Sequence, residues 1–127
     1  MRSRLVVGNW KMHGSPEMVA GLVAEVAQGI AGAQAEAAVC PVSVHIAQAI
    51  GLAGATALKV GAQNCSEHVQ GAYTGEVSAN MLAELGCSWV ILGHSERRQY
   101  FGESDALVAD KSVAVRAAGL KPILCVG

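Results

Sequence analysis

The chain has 127 residues, nine Lys and Arg against ten Asp and Glu, and a formal net charge of −1, a balance that offers no concentrated basic patch to nucleic acid. Hydrophobic residues make up 52% and charged residues only 15%, against roughly 25% charged in an average soluble domain, which excludes intrinsic disorder. The apolar runs fall far short of the roughly 20 residues that cross hydrocarbon, and no signal-peptide pattern is read at the start.

The first apolar run, Arg4 to Gly8, predicts a strand that ends in the polar loop Gly8-Asn9-Trp10-Lys11. Ser15-Pro16-Glu17 then supplies an N-cap, a proline at the first helical position and an early acid. Behind it Met18, Val19, Leu22, Val23, Val26 and Ile30 fill one stripe of a helix. Strands are predicted again at Ala37 to Pro41, Ala57 to Ala62, Trp89 to Gly93 and Lys121 to Val126. Few of these runs alternate polar with apolar, the pattern of strands buried on both faces of a parallel sheet. Weaker helices are predicted from Ser43 to Leu52 and from Ala79 to Leu85, the second stopped by Gly86. A stronger one runs from Asp105 to Ala118, capped by Ser104 and stopped by Gly119.

Alternating strands and helices imply right-handed parallel crossovers, which build either a doubly wound open sheet or a closed eightfold barrel. The predicted strands start at residues 4, 37, 57, 89 and 121, which are 20 to 33 residues apart, close to the roughly 30 per unit of a 250-residue barrel. On that reading the chain holds about half a barrel. A self-contained open sheet of five strands suits the length better, and on spacing alone it stands at least equal.

Polar clusters follow three of the predicted strands: Asn9 and Lys11 after the first, Gln63 and Asn64 after the third, and His94 to Arg98 after the fourth. In a parallel sheet all strand C-termini point to one face, where ligands bind, so these residues are expected to converge. The glycine patterns of dinucleotide and nucleoside triphosphate sites are absent. Cys40, Cys65, Cys87 and Cys125 form no Cys-x-x-Cys pair, so neither a zinc site nor a redox dithiol is encoded. They are read as reduced, mostly buried thiols of a cytoplasmic protein. His13, His45 and His68 receive no role, Trp10 and Trp89 are read as core, and Arg98 and Glu103 as salt-bridging scaffold.

The segments Gly8-Asn9-Trp10-Lys11-Met12, Gly61-Ala62-Gln63-Asn64, Gly71-Ala72-Tyr73-Thr74-Gly75-Glu76, Trp89 to Arg98 and Ile123-Leu124-Cys125-Val126-Gly127 together resemble the triosephosphate isomerase family along the whole chain. The resemblance implies an α/β fold, the first half of a (β/α) TIM barrel, with about four βα units and the fifth strand in residues 1–127. It implies a cofactor-free and metal-free proton transfer between dihydroxyacetone phosphate and glyceraldehyde 3-phosphate through an enediolate. By the same resemblance Lys11 is the cation for the anionic substrate and Asn9 hydrogen-bonds the substrate beside it. His94 is the electrophile, a neutral imidazole at a helix N-terminus, for which this family is itself the standard example, and Ser95 is expected to cap that helix. Glu96 pairs with Lys11, and Arg97 ties down the loop after the third strand.

The loop Cys65 to Val77 is long for an ordered connection, as functional loops often are. The resemblance implies that Tyr73, Thr74, Gly75 and Glu76 dock on a second subunit of a homodimer. The family's glutamate base follows the sixth strand, and no glutamate of this sequence matches its motif. The 127 residues alone are therefore expected to be inactive. The alternative is a half-barrel assembly module that pairs with a complementary half or with itself. Neither nucleic acid nor membrane is expected as a partner.

Overall fold

A computed structural model describes residues 2–127. Strand β1 (Leu5–Asn9) leads into α1 (Pro16–Gly29), followed by β2 (Glu36–Cys40), a 3₁₀ turn (Ser43–His45) and α2 (Ile46–Ala53). Then come β3 (Lys59–Ala62), α3 (Ala79–Leu85), β4 (Trp89–Leu92), α4 (Ser95–Phe101), α5 (Asp105–Ala117) and β5 (Lys121–Leu124).

Local chemistry sets these limits. Ser15, Ser78 and Ser104 each accept the backbone N–H three residues on, which closes the first turns of α1, α3 and α5. Two helices differ from their sequence reading. The stretch after β2 opens as a 3₁₀ turn, with the His45 N–H on the Val42 carbonyl, and becomes α-helical only at Ile46. The helix after β4 is capped by His94, not Ser95. The imidazole Nδ1 stands where it accepts the Glu96 N–H at 3.1 Å, and Ser95 already lies inside the helix.

All five strands are parallel and lie in the order β1-β2-β3-β4-β5. A doubly wound sheet reverses its strand order at a switch point. Here every spatial neighbour is also the next strand in sequence, so right-handed crossovers put all the helices on one face. The sheet curls into a half-barrel. That order excludes the open doubly wound alternative that spacing left standing.

The main core lies between the helices and the outer face of the sheet. Val19 and Val23 of α1, Ile46 and Ala49 of α2, and Leu82 of α3 pack there with Val39, Val60, Ala62, Val90 and Leu92. Burying one such Leu or Ile contributes about 1.5–3 kcal/mol. The expectation of strands buried on both faces holds for β2, β3 and β4, whose residues after the first are nearly all buried. It fails for the edge strands β1 and β5. Val6 is 64% and Leu124 50% exposed, because each strand has a neighbour on one side only. No helix among the described residues is long and apolar enough to cross a membrane.

Candidate active site

The sheet gathers side chains that are distant in sequence. β1 ends at Asn9, whose Oδ1 accepts the Lys11 N–H at 2.9 Å. That turn places Lys11 at φ 53°, the one non-glycine residue with positive φ among the described residues. A left-handed lysine costs about 1–2 kcal/mol, so something must hold it. Gln63, at the end of β3, donates from Nε2 to the Lys11 carbonyl at 2.8 Å and to the Cys40 carbonyl at 2.9 Å. The loop after β1 is thus clamped by side chains from the ends of β1 and β3.

From β4 the chain turns through Gly93 at φ 67°, where a Cβ would stand 2.9 Å from both Arg98 Nη2 and Val108 Cγ2. Only glycine makes that turn, and it delivers His94 to the rim. The Glu96 N–H points at His94 Nδ1, so that nitrogen is an acceptor and the ring proton belongs on Nε2; the tautomer is assigned from this bond. Glu96 Oε1 lies 3.2 Å from Nδ1 and 3.4 Å from Lys11 Nζ. With Nδ1 occupied as an acceptor, the first of these is a contact of neutral imidazole with carboxylate. The ion pair is the one with Lys11. Lys11 and Glu96 are 52% and 43% exposed, so their pairing is worth at most about 1 kcal/mol, and the ammonium keeps donors for a ligand. An open cleft of about 200 Å³ adjoins His94, lined also by Gly93, Ser95, Arg98, Cys125, Val126 and Gly127.

Arg98 closes the wall of that cleft. Its Nε donates to the Gly93 carbonyl at 2.8 Å, its Nη1 to Asp105 at 2.6 Å and its Nη2 to the Cys125 carbonyl at 3.3 Å, which joins the ends of β4 and β5. The scaffold reading of Arg98 holds. So does that of Glu103, which is buried and takes Arg97 Nε at 2.7 Å and Lys111 Nζ at 2.6 Å on one oxygen. Burial pushes the Glu103 carboxyl up, but the hydrogen bonds and charges of Lys111 and Arg97 outweigh it and hold the group below its ordinary value.

Lys111 also donates to Asn64 Oδ1 at 3.0 Å. Asn64 therefore turns away from the cleft, although Gln63 beside it faces the Lys11 loop. It is Lys111 that ties the loop after β3, and Arg97 reaches that loop only through Glu103. Lys111 belongs to no sequence motif. The signal was its spacing: Val108, Lys111 and Val115 are the buried residues of α5, and a lysine in that stripe must be paired.

Tyr73, Thr74, Gly75 and Glu76 lie on an exposed loop tip and do not line the cleft beside His94. Cys40, Cys65 and Cys87 are buried and Cys125 half-buried, all as free thiols. Burial pushes Cys40 up to about 12 and Cys65 and Cys87 up to about 11. Among the described residues no group of three or more His, Cys, Asp or Glu side chains is placed to hold a metal ion.

A half-barrel of parallel strands with its convergent polar groups at the strand C-termini defines a TIM-barrel type of protein. Residues 4–127 match the family model described as triosephosphate isomerase, and the chain belongs to that family. It is 56% identical over 127 residues to the triosephosphate isomerase of Thiobacillus denitrificans, covering all of this chain and 50% of the relative. It is 52% identical over 126 residues to that of Bordetella pertussis, covering 99% and 51%. A crystal structure of triosephosphate isomerase from Bartonella henselae matches with a TM-score of 0.94 at 41% identity, covering 99% of this chain and 52% of that one. The chain spans about half the length of the curated relatives it matches.

Proposed function

We propose that residues 1–127 are the N-terminal half of a TIM barrel and supply the electrophile and the cation of a triosephosphate isomerase site. The convergence of Asn9, Lys11, His94 and Glu96 at one rim of the half-barrel carries this reading. The substrate is a triose phosphate, dihydroxyacetone phosphate or D-glyceraldehyde 3-phosphate, and the reaction proceeds without cofactor. His94 presents Nε2–H to the substrate carbonyl and then to the enediolate oxygen, where the negative charge develops. Lys11 offsets that charge and attracts the phosphate-bearing anion, while Asn9 fixes the Lys11 turn and faces the same substrate oxygen. Glu96 steadies Lys11 against the imidazole.

Proton abstraction from carbon belongs to the family's glutamate base after the sixth strand, outside these residues. Residues 1–127 by themselves are inactive on this reading, because the transfer needs both a base and an electrophile. The working form is a cytoplasmic homodimer in which the tip Tyr73-Thr74-Gly75-Glu76 docks on the second subunit and brings Thr74 towards its site.

The exposed edges of β1 and β5 support a second reading. Each has unpaired backbone on one side and an exposed apolar side chain, Val6 or Leu124, so the half-barrel serves as an assembly module for a complementary half or another copy. One experiment separates the two. Residues 1–127 are assayed alone and after mixing with a separately expressed C-terminal half of a relative, with native mass spectra of both samples. Turnover that appears only in a one-to-one complex supports the isomerase reading. A complex of like halves without turnover supports the second.

A further inference from the structure

The loop after β3 has its two ends pinned and its tip free. Ser66 forms a parallel bridge with Ser78 and donates its N–H to the Val77 carbonyl at 2.8 Å. Gly71 to Glu76 are exposed, and the tip's backbone bonds are local, Tyr73 N–H to the Gly71 carbonyl and Glu76 N–H to the Tyr73 carbonyl. Such a tip samples many shapes unless a side chain fixes it.

One contact reaches from the pinned part to the tip. The His68 and Tyr73 rings stack with centroids 3.8 Å apart and planes 3° from parallel. His68 is itself seated, with its N–H on Ser66 Oγ at 3.0 Å. Gly71 makes the stack sterically possible: its φ is 138°, and a Cβ there would stand 2.7 Å from Tyr73 Cε2. A ring, its platform and the glycine that clears its path agree on one geometry.

We propose that His68 is a positioning residue for subunit association: its stack on Tyr73 holds the tip Tyr73-Thr74-Gly75-Glu76 in the shape that a second copy of the chain captures. This rests on the reading above that the tip docks on a second subunit. Ordering the tip before the encounter removes an entropic cost from association. The chemistry required of residue 68 is a flat ring, and its contact with Glu67 at 3.7 Å is dispensable.

The test compares His68→Ala, His68→Phe and Gly71→Ala by two readouts. Hydrogen exchange of the 70–76 amides is measured below the dimer dissociation constant, and that constant is measured by sedimentation. His68→Ala and Gly71→Ala are expected to speed tip exchange and weaken association, each about two- to tenfold, the range an aromatic stack is worth. His68→Phe is expected to restore both to within about twofold of the parent. Unchanged exchange in His68→Ala, or no rescue by His68→Phe, overturns the stack as the positioning device. Faster exchange with unchanged association overturns the docking reading itself.

Discussion

Two charged clusters sit near the C-terminal ends of the strands, and they differ in what they leave free. Glu103, Lys111, Arg97 and Asn64 form a sealed network in which the Lys111 and Glu103 side chains are 4% and 2% exposed. Its buried cation, Lys111, is spent on Glu103 and Asn64. Asn9, Lys11, Gln63, His94 and Glu96 form an open one, where the backbone is tightly held but the Lys11 side chain is half exposed and His94 lines the cleft. The sealed cluster fixes the loops after β3 and β4, and the open cluster uses those loops to present donors. Charge alone does not mark a site; unspent hydrogen-bonding capacity on a fixed backbone does.

The comparison predicts opposite consequences of mutation. Glu103→Ala leaves a buried lysine unpaired and is expected to cost about 3–5 kcal/mol, read from urea unfolding. Lys11→Met, on the open side, is expected to shift stability by no more than about 0.5 kcal/mol. Equal losses would erase the distinction. When the site is complete, His94→Ala is expected to lower kcat about 10²- to 10³-fold, as for loss of one oxyanion donor, with a much smaller change in substrate affinity. An equal loss in both would remove the electrophile role. A smaller and opposite effect is expected of Lys11→Gly. Relief of the left-handed lysine should raise stability by about 1 kcal/mol while turnover falls, so stabilisation without loss of function would show that the Lys11 side chain is not functional.

How far these clusters were legible follows from where their information lies. Strand C-termini gather on one face in any parallel sheet, so Asn9, Lys11 and His94 were placed together by strand order and polar loops alone. The choice of a half-barrel over an open sheet was not available from spacing, because both use the same βα unit; only the neighbour relations of β1 to β5 decide it. The sealed network was half visible. Glu103 was read as scaffold, but its partner Lys111 looks like any helix surface lysine until Val108 and Val115 are seen on the same stripe. The cap of α4 was missed because serine is the usual N-cap, whereas here an imidazole one residue earlier does the same work and thereby fixes its own tautomer. The His68–Tyr73 stack depends on a loop path through Gly71 that no periodicity encodes.

The gentlest way to open the sealed cluster is acid, since protonation removes the Glu103 charge and leaves its side chain in place. The folded carboxyl titrates below its ordinary value of 4.5, the hydrogen bonds and charges of Lys111 and Arg97 outweighing burial. In the unfolded chain it titrates near the ordinary value, so unfolding in acid takes up a proton. The stabilisation is therefore fully present above about pH 4.5 and is lost as pH falls through the folded value. Urea midpoints measured from pH 7 to pH 3 should fall along that window in the parent. Glu103→Gln, which keeps the shape and lacks the titration, should start lower at pH 7 and show a shallower fall. Parallel curves for the two proteins would mean that the carboxylate charge is not what holds Lys111 in the core, and the sealed cluster would then rest on packing alone.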